Sequence, residues 1–253
     1  MFAPLTRALI EEADVREGQT VLDVAGGPGE LSLTIAEAVG PSGSVTCTDA
    51  VAEMVSAAGG EARRRGLSNV RFRRCEAGRL PFDADSFDAA VCRFGAMFFP
   101  DPSEALRDML RVTRPGGAVS LAVWHRSDLN PYSYTISRVT SRFVETPPAE
   151  PGAPGAFRFA EPGVLARLLE EAGAADVRER LLKFHIEAPI TPAEFWAMRS
   201  ETSGTLREKL TGLSAEERVE VAQEVAESVR EFFPNDRMSF PAQVIIVTGK
   251  KPI

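Results

Sequence analysis

Residues 21–30 have the sequence VLDVAGGPGE, in which an apolar run, a cluster of glycines and the start of a helical pattern lie side by side. The run Thr20–Ala25 has the length and apolar content of a strand that is buried on both faces. Residues 30–39 then have helical periodicity. Glycines between a buried strand and a helix let the backbone approach a ligand closely, beside the N–H groups at the helix start. The stretch therefore predicts the first strand, ligand loop and helix of an open α/β sheet.

Apolar runs and helical patterns continue to alternate as far as residue 124. The sequence predicts helices at 3–13 and 51–65, and further strands at 44–48, 70–75, 87–93 and 118–124. Asp101, Pro102 and Glu104 supply an N-cap, a proline at the first helical position and an acid in the first turn, so another helix begins there. This alternation predicts a parallel sheet with helices on both faces.

The second half of the chain is less regular. Asn130-Pro131-Tyr132 is predicted to be a turn, and residues 146–155 (TPPAEPGAPG), with four prolines and two glycines, a stiff loop. Two capping boxes, Thr191 with Glu194 and Ser214 with Glu217, predict helices. The remaining predictions are a helix at 162–172, strands at 177–186 and 242–248, and a helix face formed by Val221, Val225, Val229 and Phe232. We expect residues 187–240 to form a helical cap over the carboxyl edge of the sheet, where open α/β sheets bind ligands.

The composition argues against several classes of function. A formal charge of −7 and a pI near 5.1 disfavour a nucleic-acid partner, which needs a basic face. No apolar stretch approaches the ~20 residues of a membrane span, and the N-terminus lacks a signal-peptide pattern. Cys47, Cys75 and Cys92 fall in or at the end of predicted strands, which suggests buried free thiols. The free thiols and the missing signal-peptide pattern predict a cytoplasmic protein. No cluster of metal-ligating residues has ligand spacing, so we expect no catalytic metal.

The glycine loop by itself leaves two cofactor classes open. The dinucleotide fingerprint is G-x-G-x-x-G, but Ser32 replaces its third glycine, and Glu30 at the helix start would repel a pyrophosphate. Asp49, which ends the second strand, can accept hydrogen bonds from ribose hydroxyls in either a dinucleotide or an adenosyl cofactor.

Four segments together resemble class I S-adenosylmethionine (SAM) methyltransferases, in particular the ubiquinone and menaquinone biosynthesis branch. They are VLDVAGGPGE at 21–30, TDAVAEM at 48–54, RLPFDADSFDAAVCRFGAMFF at 79–99 and ALRDMLRVTRPGG at 105–117. The resemblance implies a doubly wound, mostly parallel, seven-stranded Rossmann-like sheet whose last strand is antiparallel. It also implies transfer of a methyl group from SAM to a small-molecule acceptor.

The resemblance carries over roles for the first strand and the glycine loop. Asp23 would organise the loop and reach the cofactor's ammonium group through water. Ala25 stands where some members have glycine, and its carbonyl could accept from that ammonium. Gly27 and Gly29 would leave room for the methionine part of the cofactor.

The same resemblance assigns the nucleoside part of the cofactor to the next two strand ends. Asp49, followed by Ala50, would hold the ribose hydroxyls, and Met54 would pack near the adenine. Glu76 and the backbone N–H of Ala77 would bind the adenine ring. Simpler alternatives stay open, with Asp49 as a helix cap, Met54 as plain core and Glu76 as a surface acid.

Candidate catalytic residues are few because the chain has two histidines. Arg93 and Phe94 end the fourth strand, beside the methyl group by the same resemblance, although Arg93 could equally be a salt-bridge partner. His125 follows the fifth strand at the sheet's carboxyl end and is a candidate general base for a hydroxyl acceptor. Tyr132 lies in the segment expected to line the acceptor pocket and is the second catalytic candidate. Hydrogen bonding and packing are their alternative roles.

We expect one structural domain with three parts. Residues 1–125 bind SAM, residues 126–160 line the acceptor pocket, and residues 161–253 complete the sheet and carry the cap at 187–240. About eighteen residues precede Thr20, fewer than in most relatives, so the cleft is more open, or the Pro-rich loop or a second subunit of a homodimer covers it. The competing functions are a nicotinamide oxidoreductase using NAD(P) and a non-catalytic protein that binds an adenosyl cofactor.

Overall fold

Seven strands form one mixed sheet in the computed structural model, which describes residues 1–144 and 152–253 apart from the side chain of Thr205. They are β1 (Thr20–Val24), β2 (Ser44–Asp49), β3 (Val70–Arg74), β4 (Phe87–Arg93), β5 (Thr113–Trp124), β6 (Ala175–Ala188) and β7 (Met238–Lys250). The spatial order is β3-β2-β1-β4-β5-β7-β6. The pairs from β3 through β5 are parallel, whereas β7 runs antiparallel to β5. The predicted Rossmann-like sheet with an antiparallel last strand is confirmed.

Nine α-helices lie in the described part of the chain. They are α1 (Ala3–Glu12), α2 (Glu30–Val39), α3 (Ala52–Arg64), α4 (Pro102–Val112), α5 (Pro131–Thr140), α6 (Val164–Glu171), α7 (Pro192–Thr202), α8 (Gly204–Thr211) and α9 (Ala215–Val229). Local capping chemistry sets several of their starts. Asp101 accepts a hydrogen bond from the Glu104 N–H at 2.9 Å, as predicted. Both predicted capping boxes, at the starts of α7 and α9, are formed.

The chain divides into two compact units, which we describe separately. The sheet unit comprises Ala3–His125, Pro154–Leu182 and Val244–Ile253. Strands β1 and β4 are buried along nearly their whole length, and β5 is buried from Ala118 to Trp124, as expected for parallel strands with helices on both faces. The helical unit comprises Met1–Phe2, Arg126–Ala153 and Lys183–Gln243. Its core contains the aromatic side chains of Phe195 and Phe240 together with the predicted valine face of α9.

Some elements differ from the sequence-based expectation. The Asn130-Pro131-Tyr132 segment is the start of α5 rather than a turn, because a proline fits the first helical position well. The helix expected from residue 162 begins at Val164, since Gly163 has a φ of +80° that no helix interior accommodates. Phe232 lies beyond α9 in a 3-10 turn, Arg230–Phe232, where its ring stacks on Phe240. Residues 146–151 of the Pro-rich segment lie outside the described residues, and 152–155 belong to no helix or strand.

None of the helices that the structure describes is long and apolar enough to cross a bilayer.

Candidate functional site

A cavity of about 490 Å³ opens at the carboxyl ends of β1 to β4, within the sheet unit. Its size falls in the roughly 300–1,000 Å³ range of small-molecule sites, and its position is where open α/β sheets bind ligands. The lining residues are Val24, Ala25, Gly27, Pro28, Asp49, Ala50, Val51, Met54, Cys75, Glu76, Ala77, Phe94, Gly95, Phe98, Phe99 and Pro100. Of the ten cofactor residues expected from the sequence, this cavity brings together seven: Ala25, Gly27, Asp49, Ala50, Met54, Glu76 and Ala77.

The glycine loop packs tightly against the protein behind it. A Cβ on Gly26 would lie 2.6 Å from the Cys47 sulfur, closer than real side chains come. Gly29 has a φ of +88°, and a Cβ there would lie 2.8 Å from the Cβ of Ala58 in α3. Any side chain at these two positions would push the loop outward, so glycine keeps the backbone close to the strand ends and away from the cavity.

Asp49 joins the glycine loop to the start of α3. One carboxylate oxygen accepts from the Gly27 N–H at 2.9 Å, and the other accepts from the Val51 N–H at 2.9 Å. The second bond closes a turn just before α3, whose N-cap is Val51 and has no side-chain cap, so it is not the helix cap that the sequence left open. The first bond joins two walls of the cavity. Because each carboxylate oxygen can accept more than one hydrogen bond, Asp49 retains capacity to accept from a ligand hydroxyl.

Asp23 lies behind the loop and does not line the cavity. It is completely buried, and its Oδ2 accepts from the Ser32 hydroxyl at 2.5 Å. Its Oδ1 has no hydrogen-bond partner among the described residues. Burial raises the pKa of this carboxyl to about 7, against the lowering effect of the Ser32 hydrogen bond and the charge of Arg93. Asp23 therefore joins β1 to α2 from the interior and does not line the cavity.

Arg93 lies at the end of β4 but does not line the cavity either. Its guanidinium forms an ion pair with Glu30 at the start of α2 and donates to the Thr6 hydroxyl at 2.5 Å. The side chain thus links β4 to α1 and α2, which matches the structural alternative weighed for this residue. Gly29 is the third expected cofactor residue that does not line the cavity. It has no side chain, and this lets the glycine loop pack against Ala58 in α3.

Aromatic residues after β4 form a wall that the sequence analysis largely missed. Phe94 has a left-handed backbone (φ +63°), donates its N–H to the Ala122 carbonyl at 2.8 Å, and stacks on Trp124 with ring centroids 4.2 Å apart. Phe98 and Phe99 follow in a 3-10 turn and its end, which has no helical periodicity to reveal it. The sequence feature that points to this wall is the high density of aromatic residues in FGAMFFP at 94–100. Arg158 holds this wall by donating to the Phe99 carbonyl at 2.6 Å.

Cys75 also departs from expectation. It is half-buried and lines the cavity just after β3, whereas Cys47 and Cys92 are buried as predicted. No group of three or more potential metal ligands occurs among the described residues.

The two catalytic candidates lie outside the cavity lining. His125, in the sheet unit, is nearly buried, and its Nδ1 lies 2.7 Å from the Ala160 carbonyl oxygen. Since a carbonyl can only accept, Nδ1 carries the proton, and Nε2 has the lone pair in the neutral ring. Tyr132 is buried in the helical unit, edge-on to Phe195 and Phe240, with the Arg199 guanidinium 4.7 Å from its ring centre.

With this geometry established, comparison with known proteins identifies the family. A model of the ubiE/COQ5 methyltransferase family matches residues 5–142, more than half of the chain. The chain belongs to this family. SAM is therefore its cofactor and methyltransferase its class of enzyme, which decides against the nicotinamide oxidoreductase alternative.

Two curated relatives show how far the similarity extends. Nocamycin O-methyltransferase of Saccharothrix syringae is 32% identical over 76% of this methyltransferase and 72% of the relative. A ubiquinone/menaquinone biosynthesis C-methyltransferase of Idiomarina loihiensis is 37% identical, over 53% of this chain and 52% of the relative. The match to the C-methyltransferase thus spans about half of each protein, whereas the O-methyltransferase match extends further.

Solved structures support the fold. The YcgJ protein of Bacillus subtilis superposes with a TM-score of 0.63 at 22% identity, covering 98% of both chains. Phosphoethanolamine N-methyltransferase 2 of Haemonchus contortus, solved with SAM, has a TM-score of 0.61 at 16% identity, covering 99% of this chain and 53% of that one.

The cavity of this methyltransferase fits SAM on three observations. Its volume suits an adenosyl cofactor, and the Asp49 carboxylate lines it with acceptor capacity for ribose hydroxyls. Val51, Met54 and Phe98 supply apolar surface for a flat ring system.

Proposed function

We propose that this methyltransferase transfers the methyl group of SAM to an oxygen or carbon atom of a small-molecule acceptor by in-line displacement. The observation that carries the proposal is the convergence of Ala25, Gly27, Asp49, Met54 and Glu76 on one cavity at the carboxyl edge of the sheet. SAM supplies an electrophilic methyl group on a positively charged sulfur. The names of the two curated relatives, an O- and a C-methyltransferase, support these two acceptor atoms.

The residues of the chain contribute mainly by orientation. Asp49 would accept from the ribose hydroxyls while its bond to Gly27 keeps the loop in place. Met54 would pack against the adenine, and Glu76 with the Ala77 N–H would bind its edge. Holding two reactants at near-attack distance gives effective molarities on the order of 10⁵–10⁸ M, enough to account for much of the acceleration.

A general base helps when the acceptor is a hydroxyl and is unnecessary for an enolate or an amine. His125 suits that role because its hydrogen bond to Ala160 fixes the tautomer in which Nε2 carries the lone pair. Tyr132 is the alternative base, and its role stays a prediction. A homodimer that covers the cleft is likewise a prediction.

Calorimetry followed by a methylation assay tests the proposal. SAM and S-adenosylhomocysteine should bind with one site per chain and NADH should not. Radiolabelled SAM should then transfer its methyl group to at least one member of a panel of phenols, enols, polyketides, quinols, sugars and amines, and Asp49→Ala should slow the transfer at limiting SAM by about tenfold or more. Cofactor binding without transfer to any class would support the non-catalytic alternative, and NADH binding without SAM binding would overturn the cofactor assignment.

A further inference from the structure

The helical unit contains a second, smaller cavity of about 60 Å³ between α5, α7 and α8. A water molecule occupies ~30 Å³ in the liquid, so the cavity has room for one small polar group but not for a cofactor. Two cationic side chains line it: Arg199 from α7 and Lys209 from α8. None of its lining residues is acidic.

Neither cation is neutralised within the part of the chain that the structure describes. Arg199 and Lys209 form no ion pair and donate no hydrogen bond there, and the Arg199 Nε is buried without an acceptor. The face of Tyr132, rather than a carboxylate, holds the Arg199 guanidinium. A buried donor without an acceptor is unfavourable, so a ligand that brings acceptors would be stabilised there.

The other polar groups of the cavity are hydroxyls that can donate. Ser203 accepts from the Leu206 N–H at 3.3 Å as the N-cap of α8, which leaves its own proton to donate. The Ser133 and Ser137 hydroxyls form no hydrogen bond with the described residues. Thr140, the last hydroxyl in the lining, already donates to the α5 backbone.

We propose that this cavity binds an oxyanion, a phosphate or carboxylate group, between Arg199, Lys209 and the surrounding serine hydroxyls. A guanidinium and an ammonium at one site, with donors and no acid, provide the charge-assisted hydrogen bonds that such groups require. The chain as a whole carries a formal charge of −7, so general electrostatic attraction does not explain anion binding. Binding would therefore need this local arrangement. The anion has two sources, a substituent of the methyl acceptor or a free anion.

Inorganic phosphate titrated into the full chain at low ionic strength, followed by calorimetry, tests the site without methyl transfer. We expect saturable binding at one site, weakened about tenfold or more in Arg199→Gln and in Lys209→Gln. Lys209→Arg, which keeps the charge, should retain binding. Arg207→Gln is the matched control, because Arg207 lies on the same helix, is exposed and does not line the cavity.

If Arg199→Gln fails to fold, Lys209→Gln still decides the matter, since the cation–π contact with Tyr132 is made by Arg199 and the Lys209 side chain is partly exposed. Absence of saturable phosphate binding in the wild-type chain, or an equal loss in Arg207→Gln, would overturn the proposal. Either result leaves the proposed methyl transfer untouched, because SAM binding is measured separately.

A second arm, which rests on the proposed function, separates the two sources. If the anion is part of the acceptor, phosphate raises the acceptor KM competitively, and Lys209→Gln raises the same KM while kcat holds. If the anion is free, phosphate raises the melting temperature of the wild-type chain and leaves the acceptor KM unchanged.

Discussion

Asp49 accepts a hydrogen bond from the backbone N–H of Gly27 at 2.9 Å, so the acid that ends β2 also holds the glycine loop that follows β1. Its second oxygen accepts from Val51 at the start of α3. One carboxylate therefore fixes the relative position of two walls of the cavity. Neither bond caps α3, whose N-cap is Val51, and both leave the carboxylate with capacity to accept from a ribose hydroxyl, the role proposed for it.

Asp49→Ala should therefore weaken SAM binding and also destabilise the fold slightly. We expect a loss of about 1.5–3 kcal/mol in binding, the scale for hydrogen bonds to a charged group, and about 1 kcal/mol in unfolding free energy. Asp49→Asn keeps one acceptor oxygen, so its SAM affinity and its stability should lie between those of the wild type and Asp49→Ala. Calorimetry with S-adenosylhomocysteine and urea unfolding measure both quantities. Unchanged affinity combined with lower stability would leave Asp49 a purely structural role, through its bonds to Gly27 and Val51.

The buried Asp23 should make stability depend on pH. Because its pKa is raised from 3.8 to about 7, the protonated form is favoured in the folded state. Its stabilising contribution is complete below pH ~4 and is lost as the pH rises towards 7 and above. Asp23→Asn cannot ionise. In urea unfolding, its free energy of unfolding relative to that of the wild type should therefore rise by about a few kcal/mol between pH 5 and pH 8. Asp14→Asn, an exposed acid in the same unit, is the control. Parallel profiles for wild type and Asp23→Asn would show that the carboxyl is not buried in solution.

Local signals predicted much of this fold. The bounds of β4 and the helix starts at Asp101, Thr191 and Ser214 follow from residues next to one another in the chain, and each is confirmed. The sequence analysis did not single out α8, although Ser203 caps it and the helix formers Leu206, Arg207 and Lys209 follow, because the glycine at its first position obscured the start.

The candidate site likewise contains residues that local motifs predict and residues that depend on contacts between distant parts of the chain. Gly27 and Asp49 belong to a motif, and the sequence placed them on the cavity. The wall around Phe99 depends on a contact with Arg158, 59 residues further along the chain, which no local pattern encodes. Arg93 resembles a site residue in sequence, yet its partners Thr6 and Glu30 make it a structural link.

Ala25 lines the cavity with a left-handed backbone, a conformation that costs an L-residue roughly 1–2 kcal/mol. Ala25→Gly should relieve this strain, partly offset by the greater entropy of glycine in the unfolded chain. We expect stability to rise by up to ~1 kcal/mol with SAM affinity within about threefold of wild type. Ala57→Gly, the same change on the exposed face of α3, should instead cost ~1 kcal/mol. Thermal melts of both variants compare them directly, and a matching loss in the two would contradict the strain argument.

Acceptor choice should reside in residues 126–160 and 187–240, because the residues proposed to bind SAM all lie earlier in the chain. Grafting these two segments from a relative with a known acceptor should move the acceptor preference while the SAM dissociation constant stays within about threefold, since that affinity depends on other contacts. Competition assays with the two acceptors measure the ratio of kcat/KM. A preference that follows residues 18–125 instead would overturn this division of roles.

His125 provides the most demanding test of mechanism. Its Nδ1–H donates to the Ala160 carbonyl, so the neutral ring presents Nε2 as its basic atom. Positioned proton transfer typically contributes about 10²–10⁴-fold to a rate, so His125→Ala should lower kcat by that order on a hydroxyl acceptor, with SAM affinity nearly unchanged.

His125→Asn is the sharper variant, because the asparagine amide can still donate to Ala160 but cannot take a proton. If His125 is the base, both variants lose rate equally. If its role is only the hydrogen bond to Ala160, His125→Asn restores what His125→Ala loses. With a carbon acceptor that is already an enolate, neither variant should change kcat, because no proton has to be removed.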